Sequence, residues 1–226
     1  MKFLKKILDN LLHRLEKKLT VNSDSFEVNS NYGGCQLIDF YRADRDWIAF
    51  MIKVEKMVEN FKKENGYNKN KPLIDFVQEK LHFKVIYKKN MDSDSGMLID
   101  PQNNIRHIFL NTRIVDVEYY KPSNFILARL LGYYFLHSEQ GLKYFKKSAN
   151  NVSEDQFSED QCGESILFAA AFLMPLKDLD DCLNKHFSIL RMAMRYGVRP
   201  RSVEVRLLYR TYMKRHKNGK IAPNVN

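Results

Sequence analysis

Apolar residues recur at helical spacing along several stretches of the chain. The first stretch predicts an amphipathic helix over residues 1–20, whose opposite face is dominated by lysine and arginine. Its apolar positions are Phe3, Leu4, Ile7, Leu8, Leu11, Leu12, Leu15 and Leu19. A second apolar stripe predicts a helix over residues 43–65, and a shorter helix is predicted over residues 73–81.

The middle of the chain changes to a pattern typical of strands. Apolar and polar residues alternate in residues 83–87 and 105–111, and a third short strand is predicted over residues 96–99. Strands this close together in sequence predict a small antiparallel sheet. From Pro122 onward the pattern is helical throughout, with a second helix starting near Ser158 and ending at Pro175. The sequence therefore predicts an α+β fold that is mostly α-helical.

The same pattern divides the chain into four parts. Residues 21–34 are polar and rich in Asn and Ser, which predicts a flexible linker after the N-terminal helix. The folded domain is expected over residues 35–214, and residues 215–226 form a basic tail. The N-terminal helix has four interpretations that stay open: packing on its own domain, pairing with another protomer, docking in a partner, or lying on an anionic membrane surface.

Composition narrows the class of protein. A chain of 226 residues with 44% hydrophobic content can bury one sizeable core. No apolar run is long enough to span a membrane, and the first 19 residues lack a signal-peptide core. The three cysteines (Cys35, Cys162 and Cys182) are widely spaced, which argues against a disulfide framework and against a structural zinc ribbon. A reduced, cytoplasmic protein is the simplest expectation. The net charge of +10 permits nucleic acid or acidic protein partners without requiring them.

Three segments, taken in order, resemble one known family. Residues 128–137, ARLLGYYFLH, are similar to the AHELGHYLLH helix of ImmA/IrrE-type metallopeptidases, which act in the regulation of mobile elements and stress responses. Residues 164–175, ESILFAAAFLMP, resemble a second helix of that family, and residues 189–208 resemble its closing helical pair. The resemblance extends over roughly residues 72–214 and implies a zincin-like fold.

The resemblance also shows where the family's zinc chemistry would lie. His-Glu-x-x-His supplies two zinc ligands and a general base, and these roles fall on positions 129, 133 and 130. This chain has Arg129, Tyr133 and Leu130 there. A guanidinium cannot ligate Zn²⁺, leucine cannot accept a proton, and tyrosine would be an unusual zinc ligand. The resemblance leaves the third ligand position open between Cys162 and Glu164.

These positions define a predicted pseudo-active-site cleft. It consists of Arg129, Leu130, Tyr133, His137 and Glu164. One hypothesis is that the guanidinium of Arg129 takes the place of the metal and pairs with Glu164; the alternative is that Arg129 is solvated. His137 is expected to be a structural residue, and no metal ligand is assigned. A relocated zinc site would have to be built from His107, His137, Cys162 and Glu164.

The closing helical pair is strongly basic around a Gly turn. Its candidate nucleic-acid or partner contacts are Arg195, Arg199, Arg201 and Arg206. If the pair acts as a helix-turn-helix, Arg201 and Arg206 would contact phosphates from its second helix. The alternative, which we favour, is that the pair closes the fold and places its arginines on a solvated face.

The resulting functional hypothesis is a catalytically inactive ImmA/IrrE-like pseudo-metallopeptidase. We expect it to act by binding a protein partner without a cofactor, and the family suggests a transcriptional repressor or a host-defence protein. The alternatives are an active zinc endopeptidase with displaced ligands and a DNA-binding regulator that uses the C-terminal basic pair.

Overall fold

The computed structural model describes residues 45–91, 94–100, 103–137 and 159–217. The predicted N-terminal helix, the linker and most of the basic tail lie outside these residues. The described helices are α1 (Arg45–Glu64), α2 (Leu73–Glu79), α3 (Pro122–His137), α4 (Glu159–Leu173), α5 (Leu176–Asn184), α6 (Ile189–Tyr196) and α7 (Pro200–Lys217). The strands are β1 (Lys84–Lys88), β2 (Ser95–Asp100) and β3 (Ile105–Asn111).

This element order confirms the predicted α+β class, with most described residues in helices. Each predicted helix and strand within the described residues is present, and its ends differ from the predicted ones by a few residues at most. None of the described helices is long and apolar enough to cross a membrane.

The sheet differs from the prediction in one respect. Its strand order is β1-β3-β2, and β2 pairs with β3 in the antiparallel sense as expected. However, β1 pairs with β3 in parallel, with Ile86 opposite Phe109. The sheet is therefore mixed, because β3 enters between the two earlier strands. Ile108 and Leu110, two residues apart on β3, are fully buried, which shows that one face of the central strand packs into the core.

Helix α4 is the centre of the helical part. Its residues 166–173 are almost all buried, so the helix is covered on every side rather than along one stripe. One side packs against α3 and α1 in the main hydrophobic cluster. The other side contributes Ala170 to a smaller cluster formed with α5, α6 and α7. This central helix connects the sheet-proximal core to the C-terminal helices.

Two breaks shape the C-terminal part. Pro175 ends α4 and precedes α5, as predicted. Between α6 and α7, Gly197 adopts the left-handed conformation (φ 64°, ψ 32°) and its N–H bonds back to the carbonyl of Met194. At the other end of α6, the Ser188 side chain accepts a hydrogen bond from the Arg191 N–H. These caps fix the length and direction of α6.

Candidate functional site

The predicted cleft lies along the contact between α3 and α4, which is unusually close. A Cβ placed on Gly132 would lie 2.9 Å from the Ser165 carbonyl oxygen and 2.9 Å from Phe168 Cβ. Only a residue without a side chain permits this approach. Gly132 thus has a packing role that is independent of any catalytic chemistry.

Helix α3 starts from a fixed position. The Asp116 carboxylate accepts hydrogen bonds from the backbone N–H of Ser123 (3.0 Å) and from its hydroxyl group. Because the first N–H groups of a helix have no partner within the helix, this carboxylate satisfies one of them and complements the helix dipole. The N–H of Lys121 donates to the Gly197 carbonyl at 2.9 Å, which ties the start of α3 to the α6–α7 turn.

The three substituted positions of the family motif have different environments. Leu130 and Tyr133 are 1% and 3% exposed and belong to the main hydrophobic cluster. Arg129 is half-buried, and its guanidinium lies 5.9 Å from the centroid of the Tyr133 ring. Its Nε is buried without a hydrogen-bond partner among the described residues. Leu130, which the resemblance aligns with the family's general base, is therefore inside the apolar core.

His137 and Glu164 are brought together across the two helices. The His137 Nε2 lies 3.2 Å from a carboxylate oxygen of Glu164. His137 is buried at the end of α3, and its burial lowers the pKa of its imidazole below the usual value. One hypothesis paired the guanidinium of Arg129 with Glu164; the side chain that lies beside the Glu164 carboxylate is His137.

The residues of this cleft do not fit a zinc ion. The described part of the chain contains no group of three His, Cys, Asp or Glu side chains that could hold a metal ion. His107, His137 and Glu164 are among the described side chains and form no such group; the side chain of Cys162 is not among them. Arg129 would add a positive charge where the family's first ligand stands, and Leu130 offers no donor atom.

A cavity does exist on another part of the surface. It has a volume of about 740 Å³ and lies between α1, α3 and the start of the sheet. Its wall combines five aromatic side chains with polar and charged ones; the aromatic residues are Phe61, Phe83, Tyr134, Phe135 and Phe168. None of the five predicted cleft residues lines it. The cavity and the family's motif positions are therefore separate features.

The four arginines predicted as contacts lie in different environments. Arg195 and Arg199 are exposed, and the Arg199 guanidinium donates to the Tyr120 hydroxyl at 3.0 Å. Arg201 is partly exposed and pairs with Glu204 at 2.9 Å. Arg206 requires a correction, because its side chain is completely buried and bound internally. It cannot reach a phosphate group at the surface of this fold.

The internal partners of Arg206 form a network that the sequence analysis missed. Its Nε donates to the Met174 carbonyl at 3.0 Å, and a terminal nitrogen forms an ion pair with Glu55. Lys62 donates its ammonium to the neighbouring Phe172 carbonyl. Two cations, one from α1 and one from α7, thus bind carbonyl groups at the C-terminal end of α4, just before Pro175. A helix C-terminus favours positive charge there.

Burial has a clear effect on Lys62. The ammonium lies 4.4 Å from the centroid of the Phe172 ring and 5.1 Å from that of Tyr67. Burial lowers the pKa of Lys62 to about 8, and the nearby carboxylates of Asp178 and Glu55 oppose this shift only in part.

One sequence signal could have revealed this network. Ile48, Glu55 and Lys62 follow each other at intervals of seven residues, so all three lie near the same face of α1. That face is the buried one. Charged residues at such positions need internal partners, which the apolar pattern alone does not identify.

Comparison with protein-family models matches residues 78–208 to a peptidase M78 family, described as the IrrE N-terminal-like domain. The matched region is more than half of the chain and runs from the end of α2 into α7. It contains the cleft helices and the closing helical pair. A comparison with curated proteins finds no significant match.

Proposed function

Because this chain belongs to the peptidase M78 family of IrrE N-terminal-like domains, we propose that it is a catalytically inactive member that acts by binding a protein partner. The single observation that carries the proposal is the burial of Leu130 and Tyr133 in the hydrophobic core. In the family pattern these positions belong to the general base and to the second zinc ligand. Here they stabilise the helix pair instead.

Replacing one lost zinc ligand would not be enough to restore metal-dependent hydrolysis. A catalytic zinc ion requires three protein ligands and an open position for water, and a base must lie next to that water. Leu130 can neither accept a proton nor admit water at its buried position. The charge of Arg129 opposes a cation at the neighbouring position. What this arrangement retains is a rigid scaffold for binding.

The partner class follows from the family alone. Members resembling this chain act in the regulation of mobile elements and stress responses, so we infer a transcriptional repressor or a host-defence protein as the partner. This is analogy, because one fold supports many functions. We place the protein in the cytoplasm, in keeping with the free, buried thiol of Cys182.

The proposal is tested by the metal content of the full chain. Protein purified without a chelator should contain far less than one zinc per chain by elemental mass spectrometry. Its thermal midpoint should be the same with added ZnCl₂ and with EDTA, because no site couples metal binding to folding.

A matched variant, His137→Ala, distinguishes zinc held at a site that includes His137 from zinc bound elsewhere on the protein. Zinc near one ion per chain that is lost in this variant would establish a displaced-ligand site and overturn the proposal. The same conclusion would follow if the protein cleaved a protein substrate and EDTA abolished that cleavage.

The DNA-binding alternative has weaker support. Arg195 and Arg199 are exposed, as phosphate contacts must be. However, Arg201 is paired with Glu204 and Arg206 is buried, so the second helix of the basic pair offers little free charge. A regulator of this kind would bind duplex DNA with an affinity that falls steeply with salt.

A further inference from the structure

Exposed apolar side chains are concentrated in one part of the described molecule. Six large apolar side chains of the described residues are exposed, and five of them lie in two segments. Those five are Val115, Val117, Tyr119, Leu190 and Met194, and we call them the apolar patch. The sixth, Tyr87, lies on β1. Single exposed apolar residues are ordinary, but such a concentration is typical of an interaction site.

The loop that carries Val115, Val117 and Tyr119 is joined to the turn that follows α6. The loop before α3 is joined to the α6–α7 turn by the hydrogen bond from the Lys121 N–H to the Gly197 carbonyl, at 2.9 Å. The Arg199 guanidinium also donates to the Tyr120 hydroxyl at 3.0 Å and lies over its ring. These contacts bring the loop that carries Tyr119 to the C-terminal end of α6, where Met194 lies.

The helical half of the patch has a regular geometry. Met192 and Ala193 point into the smaller core cluster, at 1% and 2% exposure. Leu190 and Met194, four residues apart, consequently lie together on the outer face, at 62% and 42% exposure. The Ser188 and Gly197 caps hold the helix rigid, so an incoming partner meets a preformed surface.

The charge around the patch is positive. Lys121, Arg191 and Arg195 are exposed at its border. Arg191 stacks on the Phe187 ring at 3.8 Å, and Arg195 has no ion pair with a described residue. By contrast, Arg201 and Arg210 on α7 are each paired with a carboxylate.

The loop carries two exposed carboxylates: Asp116, which accepts hydrogen bonds from Ser123 at the start of α3, and Glu118. The exposed cations Lys121, Arg191 and Arg195 outnumber them.

We propose that the apolar patch docks an acidic, amphipathic segment of a protein partner. Apolar side chains of that segment would cover Leu190, Met194 and Tyr119, while its carboxylates would bind Arg191 and Arg195. This inference deepens the proposed function, on which it rests, by naming the surface and the chemistry of the partner.

Charge and apolarity together select this occupant over two others. A second copy of the chain would bring the same basic border against itself, which like-charge repulsion opposes. Duplex DNA would satisfy the arginines but would leave the apolar side chains against charged phosphates. An acidic segment with an apolar face complements both features.

The test uses two helical model peptides and the full-length protein. One peptide carries leucines along one face and glutamates on the other; its counterpart has lysine in place of every glutamate. Binding is measured by fluorescence anisotropy at low and at physiological salt. The glutamate peptide should bind the wild-type protein, and the lysine peptide should bind at least about tenfold more weakly.

Variants then identify the surface. The double variant Leu190→Ser/Met194→Ser should weaken binding of the glutamate peptide about tenfold or more, and Arg191→Ser/Arg195→Ser should weaken it several-fold and reduce its salt dependence. The matched control is Lys53→Ser/Lys56→Ser, which removes two exposed basic side chains from α1 and should leave binding unchanged. All these positions are exposed, so each variant should keep the wild-type thermal midpoint.

Several outcomes would overturn the inference. Failure of the glutamate peptide to bind, equal binding of both peptides, or equal loss in Lys53→Ser/Lys56→Ser would each do so. Tighter binding of duplex DNA, with loss in Arg191→Ser/Arg195→Ser but not in Leu190→Ser/Met194→Ser, would assign the surface to nucleic acid. None of these results depends on the zinc measurement, so the inference and the proposed absence of catalysis fail separately.

Discussion

The α3–α4 pair and the α6–α7 pair differ in which side chains they bury and which they expose. Between α3 and α4, the side chain of Tyr133 is buried in the hydrophobic core, and the ionisable groups of His137 and Glu164 contact each other. Around α6, Leu190 is exposed to solvent, and Arg195 is exposed without an ion pair to any described residue. The contact between α3 and α4 is thus part of the hydrophobic core, whereas α6 exposes apolar and basic side chains to solvent.

If the proposed docking surface is correct, the family resemblance locates the scaffold better than the binding surface. The helix that carries the family's chemistry is the one that is best explained here by packing, through Gly132 and its close contact with α4. The surface that we propose for docking lies on the closing helices, outside the positions of the zinc motif. Variants that disturb one pair and spare the other can test this division.

The largest expected effect separates two arginines of the α6–α7 pair. Arg206→Met leaves Glu55 without its buried partner, and we expect it to lower the free energy of unfolding by about 3–5 kcal/mol. Arg195→Met removes an exposed charge and should change it by less than about 0.5 kcal/mol. Urea denaturation of both variants measures the difference. Equal small effects would mean that the Arg206 network contributes nothing to stability.

The second effect concerns pH and Lys62. Its pKa is about 8 in the folded protein and about 10.4 in the unfolded chain. Between these values the unfolded state binds more protons, so stability rises with pH and is lowest below pH 8. The rise is at most about 3 kcal/mol.

Stability is measured between pH 8 and pH 10. This range lies below the titration of Tyr67, Tyr196 and Tyr209, because burial raises the pKa of each of these tyrosines. Lys62→Met should lack the rise that the wild-type protein shows. A variant with the wild-type slope would show that Lys62 is not the responsible group.

The third effect tests the close contact of the α3–α4 pair. Gly132→Ala should destabilise the protein by about 1–3 kcal/mol, because the new methyl group would overlap Ser165 and Phe168. Gly66→Ala is the matched control, since nothing lies within 4 Å of its Cβ and only the positive φ of 63° opposes it. We expect about 1 kcal/mol for the control. If Gly132→Ala is no more destabilising than Gly66→Ala, the interhelical contact is not limiting.

The smallest effect is a loss of stability in mild acid caused by His137. Burial lowers its pKa in the folded protein, so protonation favours the unfolded chain. The stability that the neutral imidazole allows is therefore present above the unfolded pKa of about 6.5 and falls as pH drops below it. Thermal midpoints between pH 7 and pH 5 should show a smaller fall for His137→Gln. His186→Asn, at an exposed histidine, should behave like the wild-type protein.

Local pattern was enough to predict the elements and the fold class. Pro122 and Pro175 marked helix boundaries because proline fixes φ and lacks an N–H. The apolar stripe of α1 and the alternation in β3 follow from which faces are buried. The family resemblance added the order of α3, α4 and the closing pair.

Long-range contacts were beyond the reach of the same pattern. The parallel pairing of β1 with β3 depends on where β3 enters the sheet, which alternation does not encode. Arg206 was predicted at the surface because arginine is seldom fully buried. Its partner Glu55 lies 151 residues earlier in the chain. The His137–Glu164 contact likewise depends on how closely α3 approaches α4.

The cations at the end of α4 have a consequence for how the chain folds. The carbonyl groups of Phe172 and Met174 are bound by Lys62 from α1 and by Arg206 from α7, segments that lie far before and far after α4 in the sequence. The last turn of this central helix is therefore completed only when both outer helices have docked. That arrangement joins the two hydrophobic clusters into one cooperative folding unit. The amide protons of α4 should exchange with solvent only when the whole unit opens.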